Sequence, residues 1–286
     1  VNVKTFVITT NIEIDIKKLF DFLPITPYIV ITKKRGRRKN VVLEDPNKDI
    51  LEGSIITLKY EGELRGVDLK KKNNIATTKR YFRNALTIVI NIENKLINFK
   101  ISKNGKIQMT GCKNDNQAEK VIKYLWSYIR DNEDIYTIKD DDFKALFIPI
   151  MRNIHFPVGF NFNRKEFDLY INDNTEYFSS FETSVGCTAV NIKFPITEDI
   201  NKMKINQMVC KGNEYSKNVM SYQDYLEELP EKDRDKKLLK DRYNTFLVFY
   251  SGIIIMSGIC EEFQKDTYYK FVDILEECYD FIKEEI

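Results

Sequence analysis

Apolar and polar positions alternate with a period of two in several short runs. In two places such a run passes through a glycine-containing turn into a pattern of period three to four. The first is "KLINFKISKNGKIQMTGC", which leads into "NDNQAEKVIKYLWSYI", with Val121, Ile122, Leu125 and Ile129 at helical spacing behind the capping pair Asn116 and Glu119. The second is "NTFLVFYSGIIIMSGIC", which leads into "DTYYKFVDILEECYDFI", with Phe271, Val272, Leu275, Tyr279 and Ile282 likewise spaced. Each predicts a β-hairpin and then a long amphipathic helix.

The repetition extends upstream. "NIEIDIKKLFDFL" from Asn11 aligns without a gap on "GFNFNRKEFDLYI" from Gly159, giving a strand with alternating Ile12/Ile14 or Phe160/Phe162, a capping Asp15 or Asn163, and a short helix. "NALTIVINI" from Asn84 pairs with "GCTAVNIKF" from Gly186. The chain therefore divides into a first repeat over 1–135, with an insertion at about 24–80, and a linker plus second repeat over 136–286, with an insertion at about 195–243. Two antiparallel sheets, each backed by two helices, predict an α+β fold with helices on one side and an uncovered sheet face on the other.

Composition narrows the function. With 43% hydrophobic and 31% charged side chains, 286 residues suffice for a sizeable core. There is no membrane-length apolar run and no secretory cleavage pattern near the start, which predicts an intracellular protein without membrane partners. Five widely spaced cysteines without a CxxC pair predict buried thiols rather than disulfides or a zinc site. His155 has no neighbouring nucleophile motif, no phosphate loop is present, and Asp140, Asp141 and Asp142 read as a solvated linker. The expectation is a non-enzyme with no metal and no cofactor.

Charge is asymmetric. Residues 1–130 hold 26 Lys+Arg against 13 Asp+Glu, and residues 131–286 hold 19 against 30. The first part attracts a polyanion, aided by "KKRGRR" and "DLKKKNN" in its insertion. The second needs shape or apolar contact. Strand alternation places Lys106, Gln108 and Thr110 on one face and Ile107 and Met109 on the other; the second copy places Ile253, Ile255 and Ser257 opposite Ile254 and Met256. That first face, apolar with hydroxyl and amide groups, suits a ligand that is itself partly apolar.

These elements resemble the TATA-box-binding protein family, in which each repeat ends in a hairpin with an "SGK-x-x-x-TG" phrase and a long helix. "NGKIQMTG" is a close match and "SGIIIMSG" a looser one, and the composition and insertions resemble divergent versions encoded by large DNA viruses or by an AT-rich protist. The resemblance implies a saddle of two pseudo-symmetric repeats: a curved antiparallel sheet with helices on the convex face. It implies a DNA-bending general transcription initiation factor that binds AT-rich promoter elements in the minor groove of double-stranded DNA. Partners would be general transcription factors and the RNA polymerase machinery, in a nucleus or a cytoplasmic viral factory. Groove-facing threonines of the family fall on Thr110 and Ser257. Wedge positions fall on Phe249 and, with one residue inserted in the turn "SKNG", on Ile101 with Phe99 alongside. The other wedges fall near Asn84 and Gly186, with Phe82 two residues from Asn84, while the groove-reading asparagines have Asn2 and Asn153 nearby. Lys106, Gln108, Leu247 and Ile255 complete the expected DNA-binding set. The competing expectation, raised by the missing wedges and the acidic second half, is a protein-interaction scaffold of the same fold with weak or no sequence-specific DNA binding.

Overall fold

The alternating runs form strands and the runs behind Asp and Asn caps form helices. The structure, a computed structural model, describes residues 3–30, 45–69, 84–181, 189–238 and 240–284. The chain begins with β1 (Val3–Thr10), the short β2 (Ile12–Ile14) and α1 (Ile16–Phe22). A hairpin of β3 (Ile55–Tyr60) and β4 (Glu63–Gly66) precedes β5 (Ala85–Ile92), β6 (Lys95–Ser102), β7 (Ile107–Cys112) and α2 (Asp115–Ile129). Next come β8 (Tyr136–Ile138), β9 (Phe143–Pro157), β10 (Asn161–Phe162), α3 (Arg164–Asn174), β11 (Phe178–Ser180) and β12 (Ala189–Pro195). The second insertion forms β13 (Lys204–Lys211), β14 (Glu214–Ser221), α4 (Tyr222–Glu227) and α5 (Glu231–Leu238). The chain ends with β15 (Tyr243–Phe249), β16 (Ile253–Gly258), α6 (Glu261–Glu277), α7 (Tyr279–Ile282) and β17 (Lys283–Glu284). Asp15 and Asn163 cap α1 and α3 as expected. The cap of α2 is Asn114, two residues before the expected Asn116, because its side chain accepts from the Gln117 amide.

The chain separates into two compact units. The amino-terminal unit comprises Phe6–Phe147 and Gln207–Asn218; the carboxy-terminal unit comprises Val1–Thr5, Ile148–Asn206 and Val219–Ile286. In the amino-terminal unit β7, β6, β5, β3 and β4 lie side by side, antiparallel. Their residues Ile88, Phe99, Ile107 and Met109 pack against Leu19 and Phe20 of α1 and Val121, Ile122, Leu125 and Trp126 of α2. In the carboxy-terminal unit the order is β11, β12, β15, β16, β9, again antiparallel. Phe194, Phe246, Val248, Ile254 and Met256 meet Phe167 and Ile171 of α3 and Phe271, Ile274 and Leu275 of α6.

Why the chain writes its glycine phrase twice is visible in the local bonds of each unit. In the amino-terminal unit the Ile14 amide donates to the Lys103 carbonyl, Asp15 to Ile135 and Gly105 to Ser102; in the other, Phe162 donates to Tyr250, Asn163 to Ile282 and Gly252 to Phe249. β2 pairs with β8 as β10 pairs with β17. Each partner in the second set lies 147 or 148 positions after its counterpart, the same spacing that aligns the sequences. The turn glycines have φ of +69° and +74°, and a Cβ there would come 2.3 Å from the Ile12 carbonyl oxygen at Gly105 and 2.1 Å from that of Phe160 at Gly252. Only glycine lets this turn lie against the strand that leads into the first helix of its unit. Gly105→Ala and Gly252→Ala are each expected to cost about 2 kcal/mol or more, from left-handed strain plus the clash, seen as a lowered urea midpoint with unchanged slope.

The insertions have separate fates. β3 and β4 extend the amino-terminal sheet beyond β5. The basic run at 33–39 and residues 70–83, with Lys79 and Arg80, lie outside the described residues. The tip of the β13–β14 hairpin belongs to the amino-terminal unit. There Met208 and Cys210 are buried in the core, Tyr215 packs on it, Lys217 pairs with Glu119 of α2, and Lys123 lies 4.9 Å above the Tyr215 ring.

Candidate nucleic-acid interface

Helices pack on one face of each sheet, so the interface is sought on the other. In the carboxy-terminal unit the strand register sets its side chains in rows, because directly opposed residues share a face. One row runs Phe178, Lys193, Thr245, Ser257, Asn153; the next runs Ser180, Asn191, Leu247, Ile255, His155. Phe249 stands opposite Ala189 at the end of β15, and Ile253 opposite Pro157. Leu247, Phe249, Ile255, Ser257 and Asn153 are half-buried, whereas the intervening Phe246, Val248, Ile254 and Met256 are at 0% exposure under the helices. Five of the expected site residues thus come together on one surface. The Asn153 side-chain oxygen has no hydrogen-bond partner.

The electrostatics of this face contrast with its surroundings. Residues 131–286 have an excess of eleven acidic groups, yet β11, β12, β15, β16 and residues 148–157 of β9 contain no Asp or Glu. The carboxylates of this half lie in its helices and connections and, off this face, in β14 (Glu214) and β17 (Glu284). Lys193, the lysine of the face, sits 6.0 Å from the Phe178 ring centroid and 5.8 Å from that of Tyr243.

The amino-terminal unit repeats the register but not the chemistry. Its rows are Lys59, Thr87, Lys100, Gln108 and Thr57, Val89, Asn98, Thr110. Lys106, Gln108 and Thr110 are exposed as expected. Phe99 and Ile101 are not: at 1% and 0% exposure they face α1 and α2, opposite Met109 and Ile107. The reason is loop length. Both hairpins close with three residues between paired ends, Ser102 bonding to Lys106 in one and Gly252 turning back to Phe249 in the other, so no residue is inserted in "SKNG". Phe249 therefore matches Ser102, and a one-residue slip moves every side chain to the opposite face. Phe82, Asn2 and Gly186 lie outside the described residues. Missed by the sequence reading were Thr245, Asn191, Lys193, Asn98 and Lys100, which the cross-strand register reveals but linear spacing does not.

Other candidate chemistry takes structural partners. Asp140 accepts from Lys144 at 2.9 Å and from Asn11, which holds its carboxyl below the usual range; Asp142 pairs with Lys211 at 3.4 Å. Cys112, Cys210 and Cys278 are buried thiols outside any disulfide, and burial pushes that of Cys278 up to about 12. A hollow of about 1020 Å³ in the amino-terminal unit is lined by the carboxylates Glu13, Asp15, Glu61, Glu133 and Asp134 together with Lys17 and Lys103. Among the described residues no helix is long and apolar enough to cross a membrane.

No protein-family model matches the chain. It is similar to Uncharacterized protein 335L of Invertebrate iridescent virus 6, 27% identical over 217 residues, which are 71% of this chain and 62% of that protein. The chain thus spans less than two thirds of the length of the curated relative it matches. Among solved structures it is similar to the TBP of Methanococcus jannaschii, at 15% identity and a TM-score of 0.39 over 96% of this chain and 98% of that one.

Proposed function

We propose that this chain is a TBP-like transcription initiation factor that binds the minor groove of AT-rich double-stranded DNA through the helix-free sheet faces of its repeats. The observation that carries the reading is the carboxy-terminal face: apolar side chains, hydroxyls and amides in register, free of carboxylate within an acidic half. A·T pairs offer the minor groove only acceptors, which the hydroxyls of Thr245 and Ser257 and the amides of Asn153 and Asn191 can satisfy by donating. Leu247, Ile255 and Phe249 supply the apolar contact that widens the groove and parts base steps, so that a bent duplex meets more protein surface. The reading carries with it the saddle of two pseudo-symmetric repeats, helices that dock general transcription factors, and action without catalysis in a nucleus or viral factory. The internally repeated hydrogen bonds and the two glycine phrases support it.

The test is a mobility-shift and fluorescence-bending assay on an AT-rich duplex at low salt. Binding is expected, with bending, loss on raising salt, and displacement by an AT-selective drug that fills the minor groove. Equal affinity for a GC-only duplex, or no effect of the drug, would overturn groove recognition. One observation favours a second reading, an interaction scaffold with little DNA affinity: with Phe99 and Ile101 in the core, no described residue of β5, β6 or β7 presents an aromatic ring on the open face of the amino-terminal unit. Under that reading no duplex is retained at low salt, while the helices capture transcription proteins.

A further inference from the structure

His155 is the one histidine of the chain, and it stands exposed on the open face, directly opposite Ile255 and in line with Leu247 and Asn191. It is unused by the reading above. We propose that His155 is a proton-linked contact to the duplex, so that DNA affinity rises as the imidazole becomes charged; this deepens the proposed function and rests on it. A neutral imidazole carries one N–H donor and one acceptor, and the acceptor is useless against a groove floor of acceptors. The imidazolium carries two donors and a positive charge. Histidine is the side chain whose charge ordinarily changes within the pH range that cell compartments span.

The surroundings leave that charge to the DNA. On β16 the facing residue is Ile255, and the strand carries no ionisable side chain. β1 and β13, the other strands that pair with β9, contribute Lys4 and Lys204 in this unit and no carboxylate. Lys193 lies in the adjacent row on β12, three strands away, roughly 14 Å at about 4.8 Å per strand and beyond the screening length near 0.1 M salt. Within β9, Arg152 points to the opposite face, where it donates to Gln264 at 2.7 Å and pairs with Glu261 at 2.9 Å. With no protein carboxylate on these strands to neutralise an imidazolium, a phosphate-lined groove is the counter-charge the face would meet.

The sign follows from linkage. A polyanion beside the imidazole raises its pKa in the complex, so binding takes up a proton and affinity falls as pH rises between the free and bound values. A shift of one unit gives about a tenfold loss of affinity from pH 5.5 to pH 8, and His155→Gln, which keeps an amide donor, flattens the profile. Because there is one imidazole, its proton resonances titrate without overlap from other histidines, and the same shift is readable by NMR with and without duplex. Expected are a pH-dependent Kd in the wild type, a flat profile in His155→Gln, and an imidazole pKa raised by duplex. Binding with a flat wild-type profile and an unmoved imidazole pKa would overturn the inference alone. Failure to bind any duplex at either pH in low salt would remove the function and the inference together. A thermal melt of His155→Gln matching the wild type confirms that the exposed substitution leaves the fold intact.

Discussion

Leu247→Glu lowers affinity for an AT-rich duplex by at least about 100-fold while leaving the protein folded. Leu247 is at the centre of the carboxy-terminal face, opposed by Ile255 on one side and Asn191 on the other. Losing its apolar contact forfeits about 1.5–3 kcal/mol, one to two decades in Kd, and a carboxylate placed against phosphate adds repulsion. Ile255→Glu is expected to behave alike. Val219→Glu, on β14 at 63% exposure and outside the face, serves as the control with unchanged binding. Titration by fluorescence anisotropy decides the matter: undiminished binding by both face variants would show that DNA, if bound at all, lies elsewhere.

Phe271→Ala has the largest expected effect on stability, about 3–5 kcal/mol. The ring is fully buried, stacks on Phe246 at 3.9 Å with 9° between planes, and lies 6.3 Å from both Phe167 and Phe194. Truncation leaves a hole between α6 and the sheet that neighbouring rings, fixed by the strands, fill only in part. Phe271→Leu keeps most of the volume and is expected to cost less than half as much. Chemical unfolding measures both; a loss below 1 kcal/mol for Phe271→Ala would mean that this aromatic cluster does not hold the unit together.

Much of this architecture is legible in the linear pattern because it is local. The period-two runs give Ile254 and Met256 to the core and Ile255 and Ser257 to the open face. The capping Asp15 and Asn163 announce α1 and α3, and repeated glycines mark the turns. What failed was long-range pairing. Phe99 and Ile101 alternate like any strand residues with Asn98 and Lys100, and only the hairpin register says which pair faces the helices. A family alignment that admitted one extra turn residue reversed the answer. The α2 cap was displaced for a related reason: Asn114 and Asn116 are chemically equivalent caps, and the conformation around Lys113, whose amide bonds to Gln117, selects the earlier one. In the linear sequence His155 is only a histidine without a catalytic neighbour; the pairing of β9 with β16 is what sets it on the open face.

The hairpin that carries Met208 and Cys210 into the amino-terminal core has a consequence for synthesis. A ribosome delivers Phe6–Phe147 well before Gln207, so the earlier unit emerges without its last core strand and waits, with part of α2 and its sheet uncovered, until the later segment arrives. A transcript cut between the repeats would therefore yield an incomplete fold rather than an autonomous half, and a co-translational chaperone has its natural moment of engagement in that interval.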